Sequence, residues 1–296
     1  MKTFSVTKNK MKTLLVPIAI IIIGIVMFFV KGGFNFDVEF LGGIKMEIAM
    51  KDVDTVEIKE YLEEKTQINP IIVQTTSSGV SLKTQPIEEE KKNEIFAAMK
   101  EKYSLEDDAL LSVSSASASF GKQVQTKTLL YTLIAILCIL AYIAIRFEWR
   151  SAVMAVFALA LNILVMFAVY AIFQIPLNTT FIAAMLTVIG YSINDTIVIF
   201  DRIRENMRGY NQRKHGTVSN VVDKSVMDCM GRTICTSVTT LITIVLLYII
   251  GVTAVKEFAL PLIIGVAIGT FTSIFVATPF WAAWKDADAQ AKALRK

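Results

Sequence analysis

TFIAAMLTVIGYSINDTIVIF, residues Thr180–Phe200, is an apolar run long enough to cross a bilayer, broken by one carboxylate, Asp195. A spanning helix takes roughly 20 apolar residues. A charge in the middle of hydrocarbon costs at least about 3 kcal/mol on insertion scales. Asp195 must therefore face a partner helix or water, or be protonated. An acid that can be charged or neutral inside a membrane is what a proton-driven device needs. The same acid also works as a buried hydrogen-bonding post, and the residues alone leave both readings open.

Outward from this run the rest of the chain reads as membrane protein. Apolar residues make up 54%, against about 45–50% in soluble domains. Six stretches meet or approach spanning length: Thr13–Val30, Thr128–Ile145, Ala152–Phe173, Thr179–Phe200, Ile234–Gly251 and Phe258–Trp281. Charge is almost absent within them, Asp195 excepted. The first stretch follows Lys8, Lys10 and Lys12 as a secretion signal would. Its apolar core runs through Phe29 and Val30 with no small-residue cleavage site, so it reads as an uncleaved anchor.

Basic residues set the orientation. With the N-terminus inside, the inner segments are Met1–Lys12, Arg146–Ser151, Asp201–Thr233 and Lys285–Lys296, and every arginine lies in one of them. The short outer loops are Gln174–Asn178, with no basic residue, and Val252–Glu257, with Lys256 alone. This is a positive-inside pattern, and six spans return the C-terminus to the cytoplasm. The net charge of +4 sums a basic inner face and an acidic outer segment, so it implies lipid rather than nucleic acid as the partner.

The domain organisation follows. Residues 1–31 are a cytoplasmic N-terminus and first span, 32–126 an outer domain, 127–284 a five-helix membrane region with a cytoplasmic loop at 201–233, and 285–296 a cytoplasmic tail. The outer segment is far longer than a loop needs. Gly42–Met50 alternates like a strand. Asp52–Gln67 carries Val53, Val56, Ile58, Tyr61 and Leu62 at helical spacing. Pro70–Thr75 and Val80–Thr84 read as strands around a Ser77-Ser78-Gly79 turn. Glu88–Tyr103 is an amphipathic helix with Ile95, Phe96 and Met99 on its apolar face, and Leu110–Phe120 is a last strand. The order βαββαβ predicts a ferredoxin-like α+β domain. It has no cysteine. Cys138, Cys229 and Cys235 fall in or near the spans and inner loop and read as packing residues.

The inner loop opens with FDRIRENMR, Phe200–Arg208, which continues the fourth helix into a charge cluster. Asp201, Arg202, Arg204 and Glu205 can pair with one another at helical spacing, beyond what a simple interfacial anchor needs. Thr217 is placed to cap a helix running to about Met230, whose Val218, Val221, Val222 and Val226 suit it to lie along the membrane face. The single histidine, His215, makes no metal site. In the fifth span Thr233, Thr236, Ser237, Thr240 and Thr243 form a small, polar face able to pack against a helix or line a hydrated path. Gly265 and Gly269 in the sixth allow close helix approach. No Walker loop, zinc spacing or cofactor motif is present.

The segment IGYSINDTIVIFDRIREN, Ile189–Asn206, resembles a signature of the SecD/SecF family of protein-export membrane proteins. RFEWR at Arg146–Arg150, SIFVATP at Ser273–Pro279 and FDVEFLGGI at Phe36–Ile44 are similar to further family segments, and the likeness runs nearly the length of the chain. The resemblance implies half of an RND-like exporter in a bacterial cell membrane, with its path formed between two subunits. The implied partners are SecD, the SecYEG channel, YajC and translocating preproteins, and the coupling ion is the proton, with no other cofactor. On this reading Asp195 is expected to be the proton carrier, with Tyr191, Ser192, Asn194, Thr196 and Asn162 as polar shell and Arg202 and Arg204 at the cytoplasmic end.

The sequence departs from the family at two places. After the first span, Glu39, Leu41 and Ile44 stand where the family has an acid, a small residue and a threonine, while Gly42 and Gly43 remain. In the third span Leu161-Asn162 replaces a His-Asp pair. Asn162 hydrogen-bonds but does not titrate, which leaves Asp195 as the only interior carboxylate. One carboxylate does not make an aspartyl protease, whose chemistry needs two sharing a site, and no enzymatic activity is expected. The rival reading is a structural subunit that stabilises the translocase without proton coupling.

Overall fold

The computed structural model describes residues 5–50, 54–68, 71–76, 79–146, 148–208, 210 and 217–294. Among them, six helices are long and apolar enough to cross a membrane. They lie in α1 (Lys10–Val30), α5 (Ala118–Arg146), α6 (Trp149–Phe173), α7 (Thr179–Met207), α8 (Val218–Ile250) and α9 (Thr253–Thr272). The last continues through a π-helical turn, Ser273–Ala277, into α10 (Thr278–Leu294). The chain is a multi-pass membrane protein. Its residues divide into two compact units, one from 1–34, 132–175 and 180–296 and the other from 35–131 and 176–179.

Small residues set the packing of the membrane unit, because helices in lipid gain mainly from close van der Waals contact. A Cβ on Gly24 of α1 would lie 2.4 Å from the Cβ of Ala168 on α6. A Cβ on Gly265 of α9 would lie 2.4 Å from Cγ2 of Val188 on α7. Helices α6, α7 and α9 carry the buried positions, including Met166, Phe181, Val188 and Val266. Helices α1, α5 and α8 expose apolar side chains such as Ile22, Leu133 and Leu246, as lipid-facing helices do.

The expected interfacial helix at 217–230 is not separate. Val218 to Ile250 form one helix of 33 residues, so the valine side belongs to the N-terminal extension of the fifth span. Val218, Val222 and Val226 pack with Ile199, Ile203 and Trp281, which explains the apolar face without a membrane surface. Thr217 occupies the cap position but makes no side-chain cap bond. The carboxylate of Asp286, on α10, does so instead: it accepts the Val218 and Ser219 amides at 2.9 and 3.2 Å and the Ser219 hydroxyl at 2.5 Å. Asp223 plays a similar part for the N-terminal segment. It accepts from the Ser5 hydroxyl at 2.6 Å and from the Val6 amide, the Thr7 amide and the Thr7 hydroxyl at 3.0 Å. His215 and the Ser77-Ser78 half of the predicted turn lie outside the described residues.

In the other unit the order is β1 (Gly43–Ile48), α3 (Thr55–Thr66), β2 (Ile71–Thr76), β3 (Gly79–Thr84), α4 (Glu89–Tyr103) and β4 (Leu110–Ala116). A short helix, α2 (Val38–Leu41), precedes them. The sheet runs β2-β3-β1-β4, antiparallel throughout, as a ferredoxin-like βαββαβ unit requires. The last strand ends at Ala116, short of the expected Phe120, because α5 begins at Ala118. Asp54 starts α3 by accepting the Val56 and Glu57 amides. Gly42 and Gly43 adopt φ of +79° and +135°, and a Cβ on Gly43 would strike the Thr84 carbonyl oxygen at 2.2 Å, so this turn requires glycine.

One sheet face packs Ile44, Met46, Ile48, Val80 and Leu82 against Ile58 and Leu62 of α3 and Ile95 and Met99 of α4. Val56, expected on the apolar side of α3, is instead exposed. On the other face Lys45 contacts Asp37 at 3.5 Å and Glu47 at 3.0 Å, and Lys83 contacts Asp37 at 3.3 Å. All four are buried, and two cations balance two carboxylates, the arrangement in which buried charge is tolerated.

Candidate functional site

The buried side of helix α7 is mostly hydrocarbon, interrupted by two hydroxyls and an acid. Ser192, Asp195, Thr196 and Ile199 fall at the i, i+3, i+4 and i+7 positions that share a face, and all four are buried. Asp195 is 2% exposed. Its Oδ2 accepts from the Thr270 hydroxyl of α9 at 3.2 Å and from the Ser237 hydroxyl of α8 at 3.4 Å. Ser237 and Thr270 are themselves 2.7 Å apart, and Thr270 also reaches the Val266 carbonyl at 3.0 Å. No ion pair to Asp195 forms among the described residues.

This geometry admits both protonation states of the acid. Each hydroxyl owns one proton and can donate or accept by rotation. With Asp195 ionised, Ser237 can donate to Thr270 and Thr270 to the carboxylate. With Asp195 protonated, Thr270 can turn its hydrogen to the Val266 carbonyl and accept from the acid. No backbone rearrangement is needed.

The residues expected around Asp195 are distributed over several helix contacts. Thr196 pairs with Ser273 of the π turn at 2.8 Å and reaches the Ser192 carbonyl at 3.0 Å; the Ser273 hydroxyl reaches that carbonyl at 3.4 Å. Tyr191 points its hydroxyl to Thr240 of α8 at 3.4 Å. Asn194 is exposed and lines a groove with Cys138, Tyr142 and Gly190. Asn162 is buried on α6. A Cβ on Gly269 would lie 2.9 Å from Asn162 Nδ2 and 3.0 Å from Ser192 Oγ. The direct partners of the acid come from other helices. Ser237 belongs to the polar face noted in the fifth span, of which only Thr233 and Ser237 are buried, while Thr236, Thr240 and Thr243 bond carbonyls of their own helix. Thr270 was missed. Its signal was Gly265-xxx-Gly269, whose close approach to α7 carries the next residue to the acid.

At the C-terminal end of α7, Arg202 spans two helices. It holds Glu205 at 2.8 Å and Asp228 of α8 through Nε and Nη2 at 3.1 and 2.9 Å. Asn206 donates to Ser225 at 2.8 Å, Asp201 is partly buried and Arg204 is exposed. The RFEWR segment adds a second clamp: Lys285 pairs with Glu148 at 2.6 Å, Arg150 pairs with Asp288, and Trp149 packs edge-on against Trp284.

Residues 95–287 match the family model described as "Protein export membrane protein SecD/SecF, C-terminal". The chain belongs to the SecD/SecF family. It is 32% identical to the protein translocase subunit SecF of Gemmatimonas aurantiaca, over 88% of this chain and 81% of that one. Against the SecF subunit of Alicyclobacillus acidocaldarius the identity is 38%, over 59% of this chain and 57% of the relative. The crystal structure of SecDF, a translocon-associated membrane protein from Thermus thermophilus, superposes with a TM-score of 0.85 at 26% identity, covering 96% of this chain and 39% of that one. The chain thus spans well under half the length of that family member and a little over half of the Alicyclobacillus one.

Proposed function

We propose that this chain is the SecF-type half of an accessory complex of the bacterial Sec translocase, seated in the cell membrane with both termini in the cytoplasm. SecD supplies the other half, SecYEG and YajC are its further partners, and translocating preproteins are its cargo. Protons moving down their gradient load and unload Asp195, and the change drives work on the preprotein at the outer face. The observation that supports this most is a carboxylate, 2% exposed in a spanning helix, whose partners are two neutral, rotatable hydroxyls. A purely structural acid would more cheaply be an asparagine, since an ionisable group in hydrocarbon is costly and typically functional.

The scaffolding alternative predicts a different outcome for Asp195→Asn. Asparagine keeps a hydrogen-bonding group of the same shape and loses the proton. The variant should insert and bind SecD, yet lose stimulation of preprotein export by the proton motive force. Near-normal stimulation would make the carboxylate a structural post.

A further inference from the structure

Three buried polar atoms on α6 and α7 find no hydrogen-bond partner among the described residues: Asn162 Nδ2, Asn162 Oδ1 and Ser192 Oγ. Asn162 and Ser192 are each 1% exposed. They sit on facing helices, α6 and α7, and both lie against Gly269 of α9, where a Cβ would approach them to 2.9 and 3.0 Å. Buried donors and acceptors are rarely left unpaired, because the lost hydration is not recovered. Three such atoms at one helix crossing point to a shared partner. Asn162 offers both a donor and an acceptor and Ser192 a hydroxyl that is either. A neutral ligand that donates and accepts fits this set, and a metal cation does not suit the amide N–H. An internal water makes roughly two to four hydrogen bonds to otherwise unsatisfied groups.

We propose that Asn162 and Ser192 bind an internal water, with Gly269 keeping the room for it, and that this water is the station next to Asp195 on the proton route. Ser192 lies one turn before Asp195 on the same face of α7, and Thr270, which donates to Asp195, follows Gly269 directly. The Thr196–Ser273 pair flanks the same turn. The second half of the proposal rests on the function proposed above; the water site itself does not.

The experiment has two readouts on the chain purified with SecD in nanodiscs. The first is thermal melting of Asn162→Leu, Ser192→Ala and the double variant, together with a density map fine enough to show ordered water. A bound water predicts that each single change lowers the melting temperature, that the double change lowers it by less than the sum, and that a peak lies within hydrogen-bonding distance of both side chains. A raised melting temperature in Asn162→Leu, or a direct Asn162–Ser192 contact with no peak, overturns the site. The second readout is Asp195-dependent proton flux in liposomes, expected to fall severalfold in Asn162→Leu. Unchanged flux in that variant overturns the water's place on the route. Flux absent from the unaltered complex instead refutes the proposed function, and the melts and map still decide the site.

Discussion

Asp286→Ala should unfasten the start of the fifth span, although Asp286 lies far along the chain from Val218. The first amides of any helix lack intrahelical acceptors. In α8 those of Val218 and Ser219 are both taken by Asp286, at 2.9 and 3.2 Å, with the Ser219 hydroxyl at 2.5 Å. Losing a helix cap costs about 0.5–2 kcal/mol. An anion at a helix N-terminus contributes about 0.3–1 kcal/mol more at low salt. The two overlap, and a combined value of about 1.4 kcal/mol corresponds to roughly 10-fold in an opening equilibrium. Hydrogen–deuterium exchange of a peptide covering Val218 and Ser219 should therefore quicken about 10-fold in Asp286→Ala by that conversion, with Asp286→Asn intermediate. Thr217→Ala is the control, because Thr217 makes no cap bond, and it should leave exchange unchanged. Unchanged exchange in Asp286→Ala, or equal effects from the two variants, would refute the assignment of the cap.

Three other predictions test the architecture. Gly265→Leu should destabilise the membrane unit by about 1–3 kcal/mol through overpacking, since a Cβ already meets Val188 at 2.4 Å; Val188→Ala should restore part of the loss, and an unaltered melt of the single variant in detergent would contradict the packing. Gly32–Thr126 expressed alone should be soluble and give a mixed helix–strand circular dichroism spectrum with one cooperative melt, because its core closes on itself; a random-coil spectrum would refute an independent domain. Single cysteines introduced into a cysteine-free variant should react with an impermeant thiol reagent at outer-domain positions and not at either terminus of intact cells, and labelling of both termini would reverse the topology.

The legible parts of this chain are those with strong local physics. The spans announce themselves by hydropathy, and Asp195 by being the one charge they contain. The ferredoxin-like order was readable because its strands and helices alternate with clear periodicity, and its apolar positions Ile58, Leu62, Ile95 and Met99 are the buried ones. Long-range partnership was not legible. Thr217 looked like a cap because Thr commonly is one, but a carboxylate from another helix took the amides. The valines at 218–226 gave the same pattern for a membrane-surface helix as for a helix packed on Trp281, and only tertiary contact separates the two. The acid's neighbours in sequence, Tyr191 and Asn194, point elsewhere because successive helical residues face different directions. Its partners in space are Ser237 and Thr270. The π turn at Ser273–Ala277 is likewise silent in composition, and it aims Ser273 at Thr196.

In the function we propose, protons pass by way of Asp195 on a path completed by a second subunit. This is tested by proton flux into liposomes under an imposed gradient, measured for this chain alone, for the chain with SecD, and for Asp195→Asn with SecD. Background flux is expected from the chain alone, clear flux with SecD, and a return to background in Asp195→Asn. Equal flux in Asp195→Asn with SecD would remove the acid from the path, and robust flux from the chain alone would place the whole path within one subunit.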